Sequence, residues 1–396
     1  MPFRKIIFWL HLIAGLIAGA VIAVMSVTGI GIAFEEEILK WFDRKVSRIE
    51  VRPASGEKLP LMELKQRVES ARPGFRVTSV VIHRDPTLAW EFHADGDGPL
   101  YVDPYSGATN DTRSHGAHEV IHKLEEWHRW LGDKDGQASV GRLVTGVSNL
   151  MFVVVCVSGL YLWFPRSWGR RALRPLVGLK FGYKGKARDF NLHNVFGFWS
   201  LPVLLVLGGT AVAISFEWGH RLVFTVAGEE APKSRNYGMM FVPPPVVPVP
   251  SEGAARLPLD EAFARVATAF PDWKSISLEQ FPAVSGPAIE PLDFGVTLPD
   301  HMPSRAYIPV KSDPFTGGIL QAVRFQDRSP GLQARVWMRF LHTGGAFGLP
   351  GKIIASLACA ASLVLVWTGF ALSWRRFFGK RRRSVPSASS PDFPSP

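Results

Sequence analysis

Apolar and polar positions fall into long blocks along this chain. Four apolar runs stand out, at 6–34, 140–164, 190–214 and 352–374. Each is long enough for a bilayer-spanning helix, which needs about 20 residues. The first is about twice the length of a signal-peptide core, and no Ala-x-Ala site closes it, so it reads as a retained membrane helix. The third contains Leu201-Pro202, a pair that membrane helices tolerate and that predicts a kink.

The polar segments between the runs, roughly 35–139 and 217–351, share a pattern. The first has Leu59-Pro60-Leu61, then helical spacing through Leu64, Val68 and Ala71, then alternating positions at 77–82 and 88–92. It closes on Tyr101-Val102-Asp103-Pro104-Tyr105-Ser106-Gly107. The second has Leu257-Pro258-Leu259, helical spacing through Ala262, Val266 and Ala269, strand-like stretches, and Asp313-Pro314-Phe315-Thr316-Gly317. Asp-Pro-aromatic-Ser/Thr-Gly predicts a strand-joining turn, because Pro fixes φ and Gly permits a positive one. Each segment predicts one helix over a small antiparallel sheet. The fold class expected is therefore a membrane α-helical bundle of four transmembrane helices in two parallel repeats, with two outer α+β domains. A site is expected where the repeats meet.

Charge sets the orientation. The chain carries a formal +11. Arg166, Arg170, Arg171, Arg174, Lys180, Lys184, Lys186 and Arg188 lie between the second and third runs. Arg375, Arg376, Lys380, Arg381, Arg382 and Arg383 follow the fourth, and Arg4 and Lys5 precede the first. These segments are expected on the cytoplasmic side, with both termini, and the two long polar segments opposite. The basic loop reads as a topology signal with affinity for the lipid bilayer, and no nucleic acid partner is expected. The Ser/Pro-rich tail from Ser384 reads as disordered. Trp9, Trp41, Trp163, Trp199, Trp218, Trp337 and Trp374 lie near run ends, as in an interfacial belt. The two cysteines, Cys156 and Cys359, sit inside apolar runs and indicate neither a disulfide framework nor a Cys-based metal site.

Histidine supplies the candidate chemistry. His11 is an ionisable side chain inside the first run, and such a group is a functional hypothesis by default. His193 opens the third run at a matching depth. His128 and His342 sit on short apolar stretches before the second and fourth runs. Two pairs at two depths suit axial ligation of two haems, with His11/His193 inside and His128/His342 outside. Gly15, Gly19, Gly197, Gly344 and Gly345 would let a flat macrocycle approach. His122 and His220 are reserves for the outer position. His118 and His122 share a helix face as zinc ligands do, but no third ligand stands out; His83, His93 and His301 read as outer-domain surface. Thr28-Gly29, Ser158-Gly159 and Thr368-Gly369 read as helix-packing dipeptides. No dinucleotide fingerprint or Walker motif is present, so electrons would have to come from another protein or from quinol.

Several of these stretches resemble the PepSY-associated transmembrane helix family, which includes iron-regulated inner-membrane proteins and ferric-siderophore reductases. The resemblance spans about residues 3–378. It rests on His11 in Leu-His-Leu-Ile-Ala-Gly with Thr28-Gly29 beyond, and on His128-Arg129-Trp130-Leu131. It rests also on Ser158-Gly159-Leu160-Tyr161-Leu162-Trp163 with Pro165-Arg166, on His193-Asn194-Val195-Phe196-Gly197, and on the two outer turns. The division it implies is 1–38 transmembrane helix, 39–125 periplasmic PepSY-like domain, 126–166 juxtamembrane and transmembrane helices, and 167–188 basic cytoplasmic loop. It continues with 189–224 transmembrane helix, 225–332 second periplasmic PepSY-like domain, 333–378 juxtamembrane and transmembrane helices, and 379–396 cytoplasmic tail. The resemblance implies a bacterial cell inner membrane, two b-type haems (heme b), and one-electron reduction of a ferric siderophore by a cytoplasmic electron donor or quinol. A PepSY membrane protein that binds a peptide or protein partner in a regulatory role is the alternative.

Overall fold

A computed structural model describes residues 2–49, 56–95, 98–133, 139–165, 169–232, 245–248, 254–282, 290–299, 303 and 307–378. In chain order the first elements are helices α1 (Pro2–Ala33), α2 (Glu35–Asp43) and α3 (Leu61–Ala71). Strands β1 (Val77–His83), β2 (Trp90–Ala94), β3 (Leu100–Val102) and β4 (Thr109–Asp111) follow. Then come helices α4 (His115–Trp130), α5 (Val140–Trp163), α6 (Arg170–Val177), α7 (Gly185–Ser215), α8 (Glu217–Val226) and α9 (Leu259–Ala269). Strands β5 (Ser275–Leu278), β6 (Leu292–Thr297), β7 (Ile308–Ser312) and β8 (Ile319–Ala322) precede α10 (Pro330–His342) and α11 (Gly348–Phe378).

Four helices, α1, α5, α7 and α11, are long and apolar enough to cross a membrane. They pack as a ring in which α1 and α7 each touch both α5 and α11. Large apolar side chains such as Ile13, Ile17, Leu357 and Trp367 point outward. The interior holds small and hydroxyl residues, including Ala14, Ala18, Ser158, Thr210, Ser362 and Thr368. Apolar outside and small or polar inside is the arrangement a lipid solvent favours, since close backbone approach and hydroxyl bonds hold the helices together there. Ser26 Oγ meets Ser362 Oγ at 2.6 Å between α1 and α11. Helix α7 runs from Gly185 to Ser215 with Pro202 inside it.

Outside the bundle the two polar segments do not form separate sheets. They join as one antiparallel eight-stranded sheet in the order β4-β3-β2-β1-β5-β6-β7-β8. The junction is β1 on β5, with Val80 opposite Leu278 and Ile82 opposite Ile276. Alternate residues Val80, Ile82, Phe92, Ile276, Leu278, Phe294, Val296 and Val310 enter one shared core with Leu64 and Val68 of α3 and Ala262 and Val266 of α9. The helices thus cover one face of the sheet. Asp260 in the first turn of α9 accepts from the backbone N–H of Leu61 at 3.0 Å, capping α3 across the junction. The two turn motifs are alike. Gly107 (φ 76°) and Gly317 (φ 64°) take the left-handed conformation, and their N–H groups donate at 2.8 Å to the carbonyls of Asp103 and Asp313.

Two carboxylates, the buried Asp43 and the half-buried Glu229, seat the short helices that lead back to the membrane. Asp43, at the end of α2, accepts from Ser114 N (3.0 Å), Ser114 Oγ (2.7 Å), Arg113 N (2.6 Å) and Thr112 Oγ1 (2.9 Å) at the start of α4. Glu229, just beyond α8, accepts from Ser329 Oγ (2.7 Å) and Gly331 N (3.1 Å) at the start of α10. A negative charge at a helix N-terminus satisfies orphan N–H groups and complements the helix dipole. The expected tail, together with Arg166 and His301, lies outside the described residues.

Candidate functional site

The structure brings the four histidines of the two anticipated pairs together, two by two. His11 on α1 and His193 on α7 have ring centres 6.3 Å apart. His128 on α4 and His342 on α10 have ring centres 6.2 Å apart. Two imidazoles holding one metal from opposite sides, at a metal–nitrogen length of about 2 Å, stand about 6 Å apart at their centres.

Each ring is gripped the same way. His11 Nδ1 lies 3.1 Å from the Val155 carbonyl and 3.0 Å from Ser158 Oγ, both on α5. Ser158 Oγ in turn donates to the Val154 carbonyl at 2.6 Å. His193 Nδ1 lies 2.9 Å from Thr368 Oγ1 on α11, whose own hydrogen goes to the Val364 carbonyl at 2.7 Å. His128 Nδ1 lies 2.9 Å from the Met25 carbonyl and 3.1 Å from Thr28 Oγ1 on α1. His342 Nδ1 lies 3.0 Å from the Leu207 carbonyl and 3.4 Å from Thr210 Oγ1 on α7. A carbonyl only accepts, and so does a hydroxyl oxygen that has given its hydrogen away, so each Nδ1 carries the hydrogen and each Nε2 keeps its lone pair. That is the tautomer that ligates a metal through Nε2, and an acceptor on the far nitrogen is the usual companion of a ligating histidine.

The glycine of each Ser/Thr-Gly dipeptide makes room for the ring. A Cβ on Gly159 would stand 3.1 Å from His11 Cε1, and one on Gly29 would stand 3.2 Å from His128 Cε1. A Cβ on Gly369 would stand 3.7 Å from His193 Cε1, an ordinary contact. The fourth grip has Ala211 after Thr210, and there the hydroxyl contact is the longest of the four. Burial holds the outer pair neutral: His128 is pushed down to about 4 by burial and then by the neighbouring His342, and His342 is pushed down by burial.

Around the inner pair lies a cavity of about 620 Å³. Its walls include Gly15, Gly19, Gly197, Phe8, Phe198 and Phe370. Its volume falls within the usual range of about 300–1,000 Å³ for cofactor pockets. Among the described residues no group of three or more His, Cys, Asp or Glu is placed to hold a metal. A porphyrin supplies four metal ligands in a plane, so two imidazoles would complete its set. The donor set, the ring spacing and the glycine-lined cavity fit a haem.

A family model for the PepSY-associated TM region matches residues 8–376. The chain belongs to this family. The match takes in all four histidines and the helices that grip them. No curated protein matches the chain. The sequence resemblance to PepSY-associated membrane proteins is thereby shown, and the chain is a multi-pass membrane protein of that family.

In this PepSY-associated protein the reserve ligands stand apart. His122 is exposed on α4 and faces Glu126 Oε1 at 3.3 Å. His220 is buried on α8, where it packs on Phe224 and accepts from Arg335 Nε at 3.3 Å. His115 likewise pairs with Glu119 on the exposed face of α4. Gly344 turns the chain between α10 and α11, where a Cβ would press on Lys352 Cα at 2.9 Å. It serves that tight turn. His83 and His93 lie on the sheet, where His83 Nε2 bonds Glu91 Oε1 at 2.9 Å. The sequence reading missed Thr28, Ser158, Thr210 and Thr368 as partners of the histidines. One signal was available: Thr28 follows His11 by the same interval as Thr210 follows His193.

Proposed function

We propose that this protein is an inner-membrane dihaem b-type electron-transfer protein. Its two halves are parallel repeats, with both termini in the cytoplasm and the PepSY-like sheet in the periplasm. The observation that carries the reading is the doubled imidazole pair with every Nδ1 bonded and every Nε2 left to ligate. His11 and His193 would hold the inner haem, and His128 and His342 the outer one. A haem held this way supplies a one-electron Fe(III)/Fe(II) couple. The chain's own part is to fix ring orientation through the hydroxyl and carbonyl grips and to enclose the inner pair in lipid-facing helices.

The acceptor class that the family resemblance supports is ferric iron in a siderophore, reduced on the periplasmic side. One electron, from quinol or a cytoplasmic protein donor, converts Fe(III) to Fe(II) and weakens its hold on hard oxygen ligands. Purified protein is expected to be red, with two haems per chain and a Soret band that shifts on dithionite. Protein that stays colourless after haem supplementation overturns the dihaem assignment. Reduced protein mixed with a ferric siderophore and a ferrous chelator should reoxidise as ferrous iron is trapped; a reduced spectrum that persists removes the siderophore from the reading.

A further inference from the structure

The inner cavity has one charged end. Arg4, Lys186 and Arg376 line it, and no acidic side chain does among the described residues. Neighbouring cations behave differently. Arg188 and Arg375 both pair with the buried Asp189, each at 3.0 Å. Arg4 donates to the Leu162 carbonyl at 2.7 Å, and Arg376 lies over the rings of Phe8 (4.6 Å) and Trp9 (5.3 Å). None of the three lining cations has a carboxylate partner among the described residues.

Their placement is systematic. Arg4 precedes His11 by the same interval that Lys186 precedes His193. That interval is two helical turns, or about 10 Å of rise. One cation from each half thus enters the same cavity on the same side of the inner pair. Long basic side chains can lay their stems along apolar walls and present the charge at the mouth. A ligand that suits this cavity is a flat apolar ring with carboxylates along one edge, because bare carboxylates in an apolar layer need cationic partners.

We propose that Arg4, Lys186 and Arg376 bind the carboxylate edge of the inner haem and orient that edge toward the basic end of the bundle. This rests on the dihaem reading. The test uses full-length protein produced under haem limitation and reconstituted in nanodiscs with protohaem or with its dimethyl ester, which lacks both charges. Wild-type protein is expected to hold the ester at the inner site about tenfold or more weakly than the acid. The R4Q/K186Q/R376Q variant is expected to hold the two alike, with the outer site unchanged as an internal control of folding.

Equal affinity of wild-type protein for acid and ester overturns the proposal while leaving the dihaem reading intact. The ester measurement needs no variant, so a variant that fails to fold does not shelter the idea. If the acid and ester bind alike, and the variant instead loses retention of phosphatidylglycerol relative to phosphatidylcholine, the cations serve lipid phosphate and the proposal falls. Wild-type protein that takes up neither ligand overturns the dihaem reading itself, and this inference with it.

Discussion

At the scale of single residues, the hydroxyls that grip the histidines are the most informative positions. Each has given its own hydrogen to a carbonyl one turn back, as Thr368 does to Val364 at 2.7 Å, and so acts on its histidine as an acceptor. Thr368→Val keeps the volume and removes that acceptor. We expect the inner haem to bind about tenfold more weakly and its midpoint potential to rise, because a less polarised imidazole donates less to ferric iron. Spectropotentiometry separates this from a packing defect, which would change haem content without moving the potential of what remains bound. Ser158→Ala should act in the same direction through His11. His193→Ala should remove one haem and leave the other, measured as haem per chain by pyridine haemochrome; unchanged content would refute the pairing. His122→Ala should leave content at two, since its ring is on the exposed face of α4.

At the scale of elements, the helices that carry the outer histidines hang from Asp43 and Glu229. Asp43→Ala removes the acceptor shared by two backbone N–H groups and two hydroxyls at the start of α4. We expect a loss of about 2–4 kcal/mol, in the range for buried bonds to a charged group, and preferential loss of the outer haem on mild heating. Loss of the inner haem first would contradict the assignment of α4 to the outer site. The sheet carries its own acid sensitivity. Burial raises the Glu91 carboxyl, but the His83 bond and the His83 and His93 charges outweigh it and hold the group below its ordinary value. Burial depresses His93. A depressed histidine stabilises less as pH falls below about 6.5, and a depressed carboxylate less as pH falls below about 4.5. Both act in the same direction, so the sheet should lose stability on acidification. Glu91→Gln leaves protonated His83 and His93 without their carboxylate, so it should widen the difference in Tm between pH 7 and pH 5.

Much of this scale was legible in the sequence. The Asp-Pro-aromatic-Ser/Thr-Gly turns, α3 and α9, and the four long helices follow from local chemistry and period, and the structure has them. The β1–β5 junction was not legible, because any strand with one apolar face could have stayed an edge and nothing local names its partner. The roles of Asp43 and Thr210 were hidden for the same reason. Their partners lie 71 and 132 residues away in sequence.

At the scale of the whole molecule, histidine depth carried further than any single motif. Matching positions in two apolar runs were enough to anticipate which rings would meet, though not what would grip them. The Ser/Thr-Gly dipeptides are visible in the sequence as packing signals, but the histidine rings that rest on them come from distant helices. What the sequence could not convey was how firmly the halves are fastened. Lys352 at the start of α11 reaches Glu37 of α2 at 2.6 Å, and β1 and β5 are hydrogen-bonded along four residue pairs.

That junction bears on how anything could move through the protein. Membrane proteins built from two similar halves often work by alternating access, one half rocking against the other around a central site. Here such rocking would have to tear strand from strand at the middle of the sheet. A fixed conductor needs no such motion, and the fastening keeps its donor-to-acceptor distances constant. A disulfide across the junction, Val81→Cys with Ser277→Cys at paired positions, should therefore leave turnover unchanged. A carrier would stall.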